Sequence, residues 1–132
     1  MGISPFYRGS ACNFWAVFDG NPHLVGATIH YLGKGIDSGE ILFHALPSKK
    51  YNNYFDLTMG SVLSAQKGLI LKIQNKSINK IRPIPQKLNS LIRYSKIKDF
   101  NKNIIKKYFN KKMKYTSPSY KKSFFINPYF DK

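Results

Sequence analysis

From Tyr54 to Ile73 apolar residues return at steps of three and four: Phe55, Met59, Val62, Leu63, Leu69, Ile70 and Ile73. That is the period of an α-helix, and it predicts an amphipathic helix whose apolar stripe packs on neighbouring strands. Gly60 and Gly68 interrupt the run, each at a cost of about 1 kcal/mol relative to alanine. Upstream the pattern differs. Ala27 to Leu32 is rich in β-formers and bounded by Gly26 and Gly33, which predicts a strand. "EILFHALP" predicts a second, closed by Pro47, and "KGIDSG" between them has the turn chemistry of a loop. "SACNFWAVFDG" predicts a short helix with Ser10 as N-cap, Phe14, Val17 and Phe18 as its apolar stripe, and Asp19-Gly20 as its stop. "NPH" then turns the chain. The opening "GISPFYRG" reads as a loop bounded by glycine and proline.

Beyond the long helix, "RPIPQ" is an extended connector incompatible with a helix. "DFNKNIIKKYFNKKM" predicts a basic helix capped by Asp99, with Phe100, Ile104 and Tyr108 on one face. Such a helix more often closes its own domain, lysines in water, than lies on a membrane or an acidic partner. The final "KYTSPSYKKSFFINPYFDK" has no clean period and reads as loosely held. No internal repeat is present.

Composition narrows the class. The chain has 132 residues, 42% of them hydrophobic and 15% aromatic, enough for one globular core and too few for several domains. Its formal net charge of +16 is unevenly placed. Residues 1–66 carry four basic and four acidic side chains, whereas 67–132 carry 18 basic and two acidic ones. That block gives an alternative reading: a small RNA- or ribosome-binding protein using the lysine-rich half and its aromatics, such as Tyr108 and Phe109. Lysine outnumbers arginine 19 to 3, however. Nucleic-acid readers favour arginine forks, so nucleic acid is not the favoured partner. The apolar runs are too short to span a bilayer, and no charged-then-apolar leader is present, so a cytoplasmic chain without a membrane partner is expected. Cys12, the lone cysteine, reads as a buried spectator thiol.

Candidate chemistry is sparse. His23, His30 and His44 lack the spacing of a metal pair, so no metal is expected. The glycines of "GKGIDSG" lie between two strands, with no helix start to hold a phosphate. What remains is a polar pair, His30 on a strand and Asp37 on the loop after it. Strand alternation puts His30 on one face with Thr28 and Leu32, opposite Ala27, Ile29 and Tyr31. Taken alone, His30 reads as a half-buried satisfied histidine and Asp37 as a turn former.

Four short motifs change that balance. Ser4-Pro5, Arg8-Gly9, Gly26-Ala27-Thr28 and Asp37-Ser38-Gly39 occur in order and at spacing that resembles the second half of the folate-dependent formyltransferase catalytic domain. That family includes glycinamide ribonucleotide, methionyl-tRNA and amino-sugar formyltransferases. The resemblance covers Gly2 to Gln74 and only loosely Pro83 to Lys112. It implies an α/β, Rossmann-like partial domain: a few strands with flanking helices over 1–74, followed by a basic, partly helical extension over 75–132. It also implies transfer of a formyl group from 10-formyltetrahydrofolate to an amine, a glycinamide ribonucleotide (hence purine biosynthesis) or an amino sugar. Asp37 matches the family's catalytic aspartate, with His30 and Thr28 beside it. Lys34, Gly35, Ile36 and Asp37 match the loop that offers backbone groups to the pterin, and Ser4, Pro5, Arg8 and Gly9 would wall the acceptor side.

The family holds its oxyanion with an Asn-x-His pair ahead of the Ser-Pro loop. On that alignment Met1 falls just after the histidine. The resemblance therefore implies a chain cut from a longer reading frame, with little activity unless another polypeptide supplies the first half.

Overall fold

The computed structural model describes residues 1–48 and 51–110 and the backbone of 125–126. It is an α/β arrangement of two small sheets, one parallel and one antiparallel, with helices against them. In chain order its elements are β1 (Tyr7–Gly9), α1 (Cys12–Phe18), β2 (Ala27–His30), β3 (Ile41–Ala45), α2 (Tyr54–Gln74), β4 (Arg93–Ser95), α3 (Lys102–Asn110) and β5 (Phe125–Ile126), with short 3₁₀ turns between them. β1 pairs in parallel with β4, Tyr7 opposite Arg93 and Gly9 opposite Ser95. β2, β3 and β5 form the antiparallel sheet, β3 in the middle. β5 lies within the final segment that reads as aperiodic; the rest of that segment lies outside the described residues.

The opening segment is more ordered than a loop. Its last three residues form β1, because the Phe6 carbonyl accepts from the Ile92 and Arg93 amides (2.8 and 3.1 Å) and Ser10 N–H donates to Ser95 O (2.8 Å). This pairing spans more than eighty residues, so no local pattern announces it. It also displaces the expected cap of α1. Ser10 is held by β4, its carbonyl accepting from Ser95 Oγ. Ala11, in a left-handed conformation (φ 53°), precedes the helix with no side-chain cap. Gly9 shows why glycine stands there: φ is +92°, and a Cβ would overlap the Ser95 carbonyl oxygen.

The core gathers on α1. Phe14, Trp15 and Val17 are buried with Tyr7, Leu24, Val25 and Leu57. Around the Phe14 ring stand Phe100, Trp15, Tyr108 and Tyr54, at centroid distances of 4.9, 5.2, 5.4 and 6.0 Å. Such edge-on and tilted pairs add about 0.5–1.5 kcal/mol each beyond burial. Ile104 and Tyr108 of α3 turn inward on this cluster while Lys102, Lys106 and Lys107 face water, so α3 closes its own domain. Its first turn is capped by Asn101, whose Oδ1 accepts from Asn103 N and Ile104 N (3.1 and 3.2 Å). Asp99, the expected cap, instead accepts from Lys96 N (2.7 Å) one turn earlier.

α2 has the expected span and the opposite face. Its buried residues are Leu57, Gly60, Ser61, Ser64, Ala65 and Gly68, whereas Phe55, Leu63, Ile70 and Ile73 are 66, 49, 53 and 55% exposed. Small side chains let the helix approach β2 and β3 closely, with Ala65 on Ala27 and Ala45. The large apolar stripe points away from the sheet. Burial of apolar residues is a one-way rule, and backbone proximity wins here. Asn53 caps α2 through its Oδ1 and Asp56 N–H (2.8 Å). Among the described residues no helix is long and apolar enough to cross a membrane.

A bidentate ion pair fastens β4 to the end of α1. Arg93 donates from Nε and Nη2 to the two oxygens of Asp19 (2.9 and 2.7 Å), its guanidinium 4.4 Å from the Trp15 ring centroid. Tyr7 Oη also donates to Asp19 (3.3 Å) and accepts from Asn21 (2.9 Å). Arg93→Ala is expected to cost about 1–2 kcal/mol in urea unfolding, while Arg82→Ala, at an exposed site, stays within about 0.5 kcal/mol. Burial raises the Cys12 thiol and the Tyr7, Tyr54 and Tyr108 phenols above their ordinary values of 9.0 and 10.0. Their protonated forms therefore favour the folded state. That contribution is complete below about pH 9 and drains away as pH rises through the raised values. Thermal midpoints should fall as pH rises above about 9, and less steeply in a Tyr54→Phe/Tyr108→Phe variant.

Candidate functional site

The expected site residues converge where two loops meet. Thr28 sits at the start of β2 and ties the first of them down: its Oγ1 accepts from Ser4 N–H (2.9 Å) and donates to the Gly2 carbonyl (2.8 Å). Buried His44 on β3 donates from Nε2 to the Ser4 carbonyl (2.7 Å). The Ser4-Pro5 segment, joined by a cis peptide bond, is thus pinned from two strands. β2 ends at His30 rather than Leu32, because the register shifts between Ile29 and His30. Leu32, expected on the His30 face, lies beyond the strand and is fully exposed.

The second loop carries Asp37, which adopts a left-handed backbone (φ 52°). Its carboxylate reaches back to the first loop: Gly9 N–H donates to Oδ2 at 3.1 Å. Its other oxygen, Oδ1, lies 4.0 Å from His30 Nε2, the two side chains 38 and 20% exposed. His30 Nδ1 donates to the Tyr31 carbonyl at 2.7 Å. That bond assigns a proton to Nδ1 and leaves Nε2 as the ring nitrogen facing the carboxylate. The two groups face one another across a gap that suits a small polar group.

Three further side chains hold this loop. Arg8 Nη2 donates to the Ile36 carbonyl (2.8 Å). Gln86 Nε2 donates to the carbonyls of both Asp37 and Gly39 (2.8 Å each). Ser38 Oγ donates to the Gly35 carbonyl (2.8 Å). Gly39 packs against the Tyr31 carbonyl, which a Cβ there would overlap, and it is the same carbonyl that orients His30. Sequence reasoning passed over Gln86, His44 and the part played by Gly39. Gly39 stood inside a quoted motif. Gln86 could be found only through the fold, from the bridge that pairs Ile84 with Ile41 and carries the connector past the loop.

Asp37 borders two hollows. One is a polar pocket of about 50 Å³ lined by Gly2, Ser4, Tyr7, Thr28 and His30 among others, room for water rather than an organic ligand. The other is an open groove of about 680 Å³ between Gly9-Ser10, Ile36-Asp37 and the segment Tyr94 to Lys98. A groove of that volume is in the range of small-molecule sites. Of the expected pterin-loop residues, Ile36 and Asp37 line the groove; Lys34 and Gly35 lie exposed beside them. Of the acceptor-side residues, Ser4 lines the polar pocket and Gly9 the groove; Pro5 is buried and Arg8 braces the loop. Cys12 also lines the polar pocket, but burial first and the Asp37 charge second raise its pKa. It stays a thiol, not a nucleophile.

Among solved structures the chain is similar to the formyltransferase PseJ from Anoxybacillus kamchatkensis in complex with UDP-4,6-dideoxy-4-formamido-L-AltNAc and tetrahydrofolate, with a TM-score of 0.57 and 24% sequence identity. The likeness covers 86% of this chain and 56% of that one. At that identity it is a likeness of fold. No family model and no curated protein matches the chain.

Removing the brace tests the loop's architecture. Gln86→Ala deletes two hydrogen bonds at about 0.5–1.5 kcal/mol each. Amides of Gly35 to Gly39 should then exchange with deuterium about tenfold faster, while those of α1 stay unchanged.

Proposed function

We propose that this chain forms one side of a folate-dependent formyltransferase site, with Asp37 as its proton acceptor and an amino sugar as the amine substrate. One observation carries the reading: a carboxylate and a histidine Nε2, 4.0 Å apart, at the meeting point of a polar pocket and a ligand-sized groove. The fold neighbour, a formyltransferase holding tetrahydrofolate and a formamido sugar nucleotide, supports the choice of donor and acceptor. The four motifs that resemble the family support the same choice.

In this reading the pterin lies against the Lys34 to Asp37 loop, and the acceptor against the Ser4 to Gly9 side. The amine lone pair forms a bond to the formyl carbon, and the carbonyl electrons move onto oxygen. A proton leaves the amine nitrogen for Asp37, directly or through one water held between Asp37 Oδ1 and His30 Nε2. The carbonyl re-forms, the bond from carbon to the folate nitrogen breaks, and that nitrogen takes up a proton. Gly9 N–H keeps the carboxylate aimed during the transfer. The oxyanion donors, which the resemblance puts ahead of Ser4-Pro5, belong in this reading to polypeptide outside the 132 residues. Such donors are worth about 10² to 10³ each in rate.

Folate binding tests the reading on the chain as it stands. Titration with tetrahydrofolate, followed by ¹⁵N NMR, should shift the amides of Gly9, Ser10 and Gly33 to Gly39 and leave α3 unmoved. With a first-half polypeptide added, Asp37→Asn should lower formylation of an amino sugar by about 10² to 10⁴, with folate binding kept within a few-fold. Shifts confined to other surfaces, or full activity in Asp37→Asn, would refute it.

A further inference from the structure

The outward face of α2 is spaced like a helix-pairing seam. Phe55, Met59, Val62, Gln66, Leu69 and Ile73 follow one another at steps of four, three, four, three and four. That is the 3.5-residue repeat by which two helices interlock, sustained over nearly three heptads. Leu63 and Ile70 widen it on one flank. The face lies opposite the small residues that seat α2 on β2 and β3; Phe55, Met59 and Ile73 are exposed on it and Val62 and Leu69 half-buried, so among the described residues its packing is incomplete. Exposed apolar surface here is on the order of 400–500 Å² per copy, at the upper end of what a lone soluble domain shows.

We propose that α2 pairs antiparallel with the α2 of a second copy of this chain. The spacing itself selects a helix with the same repeat as the occupant. α3 is nine residues long and turns Ile104 and Tyr108 into its own core, which leaves α2 as the matching element among the described residues. A two-fold arrangement brings Phe55 against Ile73, Met59 against Leu69 and Val62 against Gln66 of the partner. The helix dipoles decide the direction: antiparallel pairing opposes them, whereas parallel pairing would stack like on like. Two such faces bury about 1,000 Å², near the lower bound for a specific interface. Gln66, polar at the centre of the seam, lowers affinity while fixing register. The net charge of +16 opposes association and is screened at physiological salt.

None of this depends on Asp37 or on folate. Sedimentation velocity of the full chain, from about 1 to 100 μM in about 0.15 M salt, should show a monomer–dimer equilibrium. Met59→Glu/Leu63→Glu should weaken it at least about tenfold with an unchanged far-ultraviolet spectrum, because both residues are exposed in the monomer. Gln66→Leu should tighten it about tenfold. Oxidation should trap a covalent dimer in a Val62→Cys/Gln66→Cys variant and not in Gln66→Cys alone. A chain that stays monomeric even as Gln66→Leu overturns the proposal. So does a dimer insensitive to the glutamates, and Gln66→Cys crosslinking by itself overturns the antiparallel direction.

Discussion

One hydrogen bond, from the Gly9 amide to the Asp37 carboxylate at 3.1 Å, joins the two loops that make the site. Its geometry depends on structure distant in sequence. Gly9 can present its amide because φ is +92° and no side chain stands between it and Ser95 on β4. β4 is in place because Phe6 and Ser10 close the parallel ladder and Arg93 grips Asp19. Asp37 in turn sits in a left-handed turn, a conformation that costs a non-glycine residue about 1–2 kcal/mol. Gln86 and Arg8 offset that cost by binding the backbone carbonyls on either side. Residues 84–95 therefore hold the site from below, though none of them is chemically reactive in it.

The polar contacts of Asp37 differ in kind from those of Asp19. The strong ion pair of the described residues, Arg93 with Asp19, lies elsewhere and is structural. Arg8, nearest in sequence to the Gly9 amide, spends a guanidinium donor on a carbonyl rather than on the carboxylate. His30 has its proton anchored on the Tyr31 oxygen. Asp37 thus keeps one oxygen for the amide that aims it and one for whatever enters the gap.

Much of this was legible along the chain, and the part that was not has a common physical cause. α2 could be bounded within a residue because the periodic run from Tyr54 to Ile73 is a local signal. β2 and β3 were legible from β-formers between glycines and proline, and so was the facing of Thr28 and His30, which both line the polar pocket. The caps Ser10 and Asp99 were misread for different reasons: Ser95 binds the Ser10 backbone and holds it in the β1–β4 pairing, while the Lys96 amide, three residues back, takes the Asp99 carboxylate. The buried face of α2 was misread because periodicity finds where apolar side chains lie, not which neighbour lies against them. Gly60, Ser61, Ala65 and Gly68 carry little hydrophobic signal, yet closeness of approach is what the sheet required. Gln86 and the β1–β4 ladder were invisible for the simplest reason: they join segments about fifty and eighty-six residues apart.

The account turns on where Asp37 stands relative to a bound amine. A crystal structure of the chain with tetrahydrofolate and an amino-sugar nucleotide, together with the polypeptide supplying the first half, measures it directly. The sugar's amine nitrogen is expected within about 3.2 Å of Asp37 Oδ1, or joined to it through a single water that also touches His30 Nε2. An amine seated beyond reach of that carboxylate, with folate bound away from the Lys34 to Asp37 loop, would contradict it.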